Sequence, residues 1–292
     1  MPIAWVASYP KSGNTWVRIL LAGYLQDGPV SGMDNLQKAT PDFGATFRSG
    51  RMLPLDGSDP VIVKTHFLPS VEVIRPYREA STKVIYVVRN PRDVIHSADR
   101  FLDIADEHHA DFARHFIAHR GVQDWEQVGW GSWPGHVAEW TFPELLGRHL
   151  PHAEICVVRY EDLRRDPAAE LQRMLTFLEI DAGDPERVER AVTNSALDKM
   201  REVERKDSSP GTQAFVRNSR TSFFGPGLTG QSLADVFGDD VEAGYRRLLA
   251  EGEFAAVAAR YGYLDAPVPP SVSAPAPAPA PAPASRKEPS VR

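Results

Sequence analysis

Four short β-branched runs, Ile3 to Ala7, Val61 to Val63, Val84 to Val88 and Ile155 to Val158, are apolar at consecutive positions. A strand with one wet face alternates apolar and polar residues, whereas a strand covered by helices on both faces does not. Between these runs the apolar positions recur at helical spacing. After Asn14 they are Trp16, Ile19, Leu20, Ala22 and Leu25; further helical patterns follow Pro91, run from about Val137 to Leu150 and from Ala168 to Leu178, and start again at Pro185. Pro91 suits a first helical turn, where a backbone N–H would have no partner. Alternation of strand and helix predicts an α/β fold, a doubly wound parallel sheet flanked by helices in a single domain. Ligands in such sheets bind beyond the C-terminal ends of the strands.

The segment from Gly28 to Pro60, rich in Gly, Pro, Asp and Ser, predicts loop with at most short helices. From about Pro267 the chain becomes an Ala-Pro tract that lacks the side chains to build a core, so the expected organisation is a domain over residues 1–265 and a disordered tail over 266–292. No apolar run reaches the ~20 residues needed to span a bilayer, and the N-terminus carries no signal-peptide pattern. A single cysteine, Cys156, has no intrachain partner and sits in an apolar strand run, which predicts a reducing, cytoplasmic setting. The formal net charge of −6 argues against nucleic acid as a partner. Any anion must therefore be held by a compact set of local groups.

One such set lies near the start. In VASYPKSGNTWVRILLAGYL the first strand feeds a loop, Pro10 to Thr15, that opens directly into a helix. Strand, glycine loop and helix N-terminus together direct unpaired backbone N–H groups and the positive end of the helix dipole at one anion, and Lys11 adds a full charge. A metal-bound nucleoside triphosphate calls for G-x-x-x-x-G-K-[ST], but here Lys11 precedes Gly13. A second set is VIYVVRNPRDVIHSADRF, where Arg89 leaves a buried strand and Ser97 follows eight residues later on the next helix. A guanidinium fork at a strand end grips phosphate with paired hydrogen bonds, and Ser97, two turns into the helix, faces the same place. In a third, VIVKTHFLP, Lys64 and His66 follow a strand at the ligand-binding end of the sheet. An imidazole titrating near ~6.5 keeps a large neutral fraction at cytoplasmic pH and so accepts a proton from a hydroxyl. The fourth is CVVRYEDLRRDP, a strand ending at Tyr160 before a helix start.

On these four segments the chain resembles a cytosolic-type sulfotransferase that uses 3′-phosphoadenosine 5′-phosphosulfate (PAPS), with a P-loop-like fold. The resemblance runs from Ser8 to about Tyr263 and is strongest in the first three segments. It implies that Lys11, Ser12, Gly13, Asn14 and Thr15 cradle the 5′-phosphosulfate, that Trp16 and Tyr160 lie against adenine, and that Arg89 and Ser97 hold the 3′-phosphate. It also implies His66 as general base; Lys11 is then expected to stabilise the bridging oxygen that departs with adenosine 3′,5′-bisphosphate and Lys64 to support the transferring group, with no metal required. NSALDKM makes Ser195 a weaker adenine-side candidate. The family closes over the 3′-phosphate with an arginine-lysine-glycine loop and a glycine-aspartate-tryptophan turn. The nearest register, FFGPGLTGQSLADVF, keeps Gly227 and Gly230 but has Gly225, Pro226 and Ser232 where arginine, lysine and tryptophan are expected. Arg217 and Arg220, upstream in FVRNSR, are the alternative source of that charge.

Three rival readings share parts of this pattern. A P-loop kinase or nucleoside triphosphatase shares the cradle but lacks its lysine-serine pair, and a non-catalytic nucleotide-binding module would have no use for both Lys11 and His66. A zinc site on HHADFARHFIAH would use His115 and His119, one turn apart, yet no general-base glutamate lies between them. The expected partner is a small-molecule hydroxyl acceptor. Phe43, Phe47, Phe101, Phe112, Trp125, Trp130 and Trp133, in or near the variable loops, predict aromatic or apolar character for it.

Overall fold

A computed structural model describes residues 2–53, 60–207, 223–225, 227, 229–250 and 252–264. The segment expected to be a tail, 266–292, lies outside them. Four parallel strands form the sheet: β1 (Ile3–Ser8), β2 (Val61–Thr65), β3 (Ser81–Val88) and β4 (Glu154–Arg159), in the order β2-β1-β3-β4. In register, Trp5 lies between Val63 and Val84, and Ala7 between Thr65 and Tyr86. The fold is the α/β parallel sheet that the apolar runs predict.

Both faces of the sheet are apolar for a visible reason. Along β1 and β3, Trp5, Ala7, Val84 and Tyr86 point into one core with Phe43, Trp133 and Trp140. Ala4, Val6, Ile85 and Val87 point into the other, against Val17, Leu20, Leu21, Leu171 and Met174. Successive residues enter opposite cores, so neither parity is free to be polar. The helix α1 (Asn14–Leu25) and the helix Pro167–Phe177 cover the second face.

The chain departs from the simplest reading between residues 133 and 149. The apolar stretch there is two helices, Trp133–Thr141 and Pro143–His149, with Phe142 extended between them (φ −92°, ψ 118°). The ring of Pro143 disfavours helical backbone at the residue before it, so the break belongs at Phe142. Residues 28–53 hold two short helices, α2 (Met33–Ala39) and α3 (Phe43–Arg48), with Asp42 capping α3 through the Ala45 N–H. Asp42 also bridges to Lys64 at the edge of the sheet. After β3 comes α4 (Pro91–Phe101), and after it α5 (His109–His119).

The strand order places the site. The chain runs from β1 to β2 on one side and then crosses to β3 on the other, so the direction of winding reverses around β1. Crevices at such a reversal open beyond the strand C-termini, here Ser8, Thr65 and Val88.

Candidate active site

The loop after β1 is built by backbone conformation. Lys11 adopts φ +68° and Gly13 φ +103°, and Gly13 is the residue before α1, with no side-chain cap on the helix. The first N–H groups of α1 are therefore left for another acceptor. Glycine is required at 13 twice over. A Cβ there would lie 2.6 Å from Cδ2 of Tyr160, and φ +103° is a conformation that L side chains rarely adopt. Asn14 Nδ2 donates back to the Val6 carbonyl (2.9 Å) and to Ser8 Oγ (3.3 Å), tying the loop to β1. Arg89, at the end of β3, donates from Nη1 to the Lys11 carbonyl at 2.9 Å. That bond holds a residue whose left-handed backbone would otherwise relax.

Lys11, Gly13, Asn14, Thr15, Trp16, Lys64, His66, Arg89, Ser97 and Tyr160 all line one cleft of about 230 Å3. Ser12 is buried within the loop, its hydroxyl without a hydrogen-bond partner among the described residues. Trp16 and Tyr160 meet edge to face with centroids 6.0 Å apart, and the Arg89 guanidinium sits 4.3 Å from the Tyr160 ring. Ser195 stands behind this pair: it is buried, accepts from the Trp16 indole at 3.4 Å and donates to the Val192 carbonyl. Arg217 and Arg220 lie outside the described residues.

The cleft is cationic. Lys11, Lys64, Arg89, Arg100 and Arg164 line it, and no Asp or Glu does so among the described residues. Lys11 Nζ lies 3.9 Å from the Phe101 ring centroid and 4.5 Å from that of Phe223. Burial, then Arg100 and Arg89, push its pKa down to about 7. An anion brought here would restore the charged lysine.

His66 is held in one orientation by the backbone of β1. Its Nδ1 lies 2.7 Å from the Ser8 carbonyl, which accepts and so fixes the proton on Nδ1, leaving the lone pair on Nε2. Burial, then Lys64, hold its pKa well below the ordinary histidine value, so the ring is neutral. Behind it His136 Nε2 donates to the His66 carbonyl at 3.0 Å, while His136 Nδ1 accepts from Tyr86 Oη at 2.8 Å. Lys64 is salt-bridged to Asp42 at 2.8 Å, with both side chains buried. Burial pushes Asp42 upward, but Lys64 and Arg18 outweigh it and hold the carboxylate ionised far below its usual range.

Asp42, Arg100 and Arg164 join this arrangement without having been singled out in the sequence. Arg100 follows Ser97 by three residues on α4, a spacing that puts both on one helix face. Asp42 had no such signal, because it lies 22 positions before Lys64 in the chain and only the packed fold brings the two together. Elsewhere, His115 and His119 are exposed on α5, and no cluster of three or more His, Cys, Asp or Glu suited to a metal occurs among the described residues.

Comparison with known proteins gives the relationship. The family model described as "Sulfotransferase domain" matches residues 2–232. Bovine sulfotransferase 1A1 is 29% identical over 238 residues, 77% of this chain and 75% of that protein. Human sulfotransferase 1C2 is 26% identical over 244 residues, 77% of this chain and 74% of that protein. Among solved structures, mouse sulfotransferase SULT7A1 complexed with PAP superimposes with a TM-score of 0.57 at 18% identity, covering 89% of this chain and 88% of that one. Retinol dehydratase in complex with androsterone and the inactive cofactor PAP gives 0.52 at 18% identity, covering 85% and 81%. At those identities the structural likeness establishes the fold.

Proposed function

Since the chain belongs to the sulfotransferase family, we propose that it transfers a sulfuryl group from PAPS to a hydroxyl of a small-molecule acceptor, with residues 1–265 as the catalytic unit. The observation that carries this reading is the convergence of Lys11, Arg89 and His66 on one cleft at the ends of β1, β3 and β2. PAPS supplies the sulfuryl group already joined to a phosphate leaving group. On the protein side, the Lys11 ammonium and the N–H groups at the start of α1 hold the 5′ end and take up charge there as it develops. Arg89 and Ser97 hold the 3′-phosphate, and Trp16 and Tyr160 flank the base. Ser195 positions Trp16. Nε2 of His66 removes the proton from the acceptor hydroxyl as its oxygen bonds to sulfur, and the imidazolium formed is stabilised through Nδ1–H and the Ser8 carbonyl.

Lys64 is a cation held in place by Asp42, so its charge stands beside His66 without being free to swing away. Trp125, Trp130 and Phe101 line the same cleft, Trp130 with its ring 5.4 Å from that of His66, which supports an aromatic or apolar acceptor. No described helix is long and apolar enough to cross a membrane. The lone buried thiol of Cys156 supports work in a reducing, cytoplasmic setting.

The test is sulfuryl transfer from PAPS to a panel of phenols, steroid-like alcohols and aliphatic alcohols, alongside nucleotide binding. His66→Gln is expected to lose ~10² to 10⁴ in turnover while binding adenosine 3′,5′-bisphosphate within about twofold of wild type. Turnover close to wild type in that variant rules His66 out as the base. A preference for ATP with magnesium over the bisphosphate would move the chain to the triphosphate reading.

A further inference from the structure

We propose that Arg100 is a third cationic ligand of the 3′-phosphate, and that it replaces from helix α4 the charge that the loop at residues 225–226 does not carry. This rests on the reading of the cleft as a PAPS site. Three observations lead to it.

The first is placement. Ser97 and Arg100 are three residues apart on α4 and both line the cleft with Arg89, which precedes the same helix. A phosphate gripped by Arg89 and Ser97 therefore lies on the helix face that Arg100 extends by one turn.

The second is Gly225. A Cβ at this position would lie 2.2 Å from Nη2 of Arg100, 2.5 Å from Cζ and 2.7 Å from Nε. The guanidinium thus occupies the volume into which a side chain at 225 would project. Gly225 is not among the glycines with positive φ, so its backbone does not itself demand glycine. A side chain at 225 would instead have to displace the flexible end of Arg100 from that volume. In the register of the resemblance, position 225 is where an arginine is expected, so the two features read as one exchange: the loop arginine is gone, and a helix arginine stands in its place.

The third is that the loop is fixed there. The N–H groups of Phe223 and Phe224 donate to Glu204 (2.6 and 3.3 Å), and Arg201 Nε donates to the Phe224 carbonyl at 2.9 Å. The two residues before Gly225 are thus tied to the helix Leu197–Lys206, beside the Arg100 guanidinium. The electrostatics agree: beyond burial, Arg100 and then Arg89 lower the pKa of Lys11, and Arg89 lowers that of Arg100, so the three charges sit within reach of one another. Three cations set close together, with no carboxylate among the described residues that line the cleft, are stabilised by a polyanion.

Calorimetric titration of the full chain with adenosine 3′,5′-bisphosphate and with adenosine 5′-monophosphate isolates the 3′-phosphate. Wild type is expected to favour the bisphosphate strongly. Arg100→Ala and the closer mimic Arg100→Gln, which keeps much of the stem and a folded helix, are expected to lose about 10- to 100-fold in bisphosphate affinity. Their monophosphate affinity should change less than threefold. Gly225→Arg in the Arg100→Ala background should recover most of the preference, because it returns the charge to the loop. An unchanged bisphosphate preference in both Arg100 variants overturns the assignment and leaves the PAPS reading standing. A wild-type protein with no preference at all overturns both.

Discussion

Lys11 should take up a proton when nucleotide binds. Its pKa is pushed down to about 7 by burial and by its neighbours Arg100 and Arg89. At pH 8 such a group is about one-tenth charged. A phosphate placed against it removes the repulsion and returns it toward the ordinary lysine value of ~10.4, so binding at pH 8 should absorb about 0.9 proton per site. At pH 7 the figure falls to about 0.5, and by pH 6 to about 0.1. Because the bound state holds the extra proton, affinity should decline with rising pH, about tenfold per unit between pH 8 and 10. Lys64, lowered by burial in the same cleft, is the other group able to take up a proton, and its salt bridge to Asp42 opposes that lowering; the Lys11→Arg control separates the two. His66 is held well below 6.5, Asp93 titrates at about 6, and the nucleotide phosphates, with second pKa values near ~6, are already fully ionised. The assay is calorimetric titration with adenosine 3′,5′-bisphosphate in buffers of different ionisation enthalpy, whose slope gives the proton count directly. Lys11→Arg supplies the control, since a guanidinium stays charged and should bind with no uptake. An uptake below about 0.2 proton in wild type, or an equal uptake in Lys11→Arg, would refute the argument.

Three further outcomes follow from the same geometry. Gly13→Ala meets both the Tyr160 ring at 2.6 Å and the positive φ; titration and denaturant unfolding should show at least a tenfold loss of nucleotide affinity and about 1–2 kcal/mol of stability. Asp42→Asn leaves Lys64 buried without its counter-charge, for which urea unfolding should report a loss of ~3–5 kcal/mol, with turnover falling as well. Glu242 is held down to about 2, chiefly by hydrogen bonding to Arg92. A carboxyl with a depressed folded pKa contributes stability above its unfolded value near ~4.3 and loses it as pH falls toward about 2. The stability gap between wild type and Glu242→Gln should therefore be full at pH 6 and shrink steadily below pH 4; a gap that does not change with pH would point to packing instead of charge.

Much of the fold was legible because its strands are buried on both faces, which writes them into the chain as unbroken apolar runs. The same parity that sends Trp5 and Val6 into opposite cores removes the polar positions that would blur them. The boundaries that slipped were set by single residues acting locally, as Pro143 does at Phe142. The loop at 10–15 was legible for a different reason: a positive φ at Gly13 and an uncapped helix start are sequence-local devices. Asp42 and Ser195 were not legible in their observed roles. Each acts through another side chain, Asp42 on Lys64 and Ser195 on Trp16, across separations that only the packed chain closes.

The chain carries a formal charge of −6, yet its cleft gathers five cations and, among the described lining residues, no carboxylate. The acidic groups nearest in role are turned to other work. Asp42 faces Lys64, Glu161 accepts from the Asn90 N–H and the Tyr263 hydroxyl, and Glu242 takes up Arg92. Each of these pairs spends a negative charge on holding the scaffold: Asn90 and Arg92 belong to the segment that launches α4, the helix that carries Ser97 and Arg100 into the cleft. Negative charge thus fixes the frame from behind, and positive charge is left facing the ligand. In a low-dielectric crevice at the ends of three strands that separation focuses the field on one place, so a protein of net negative charge is expected to bind a doubly phosphorylated nucleotide there.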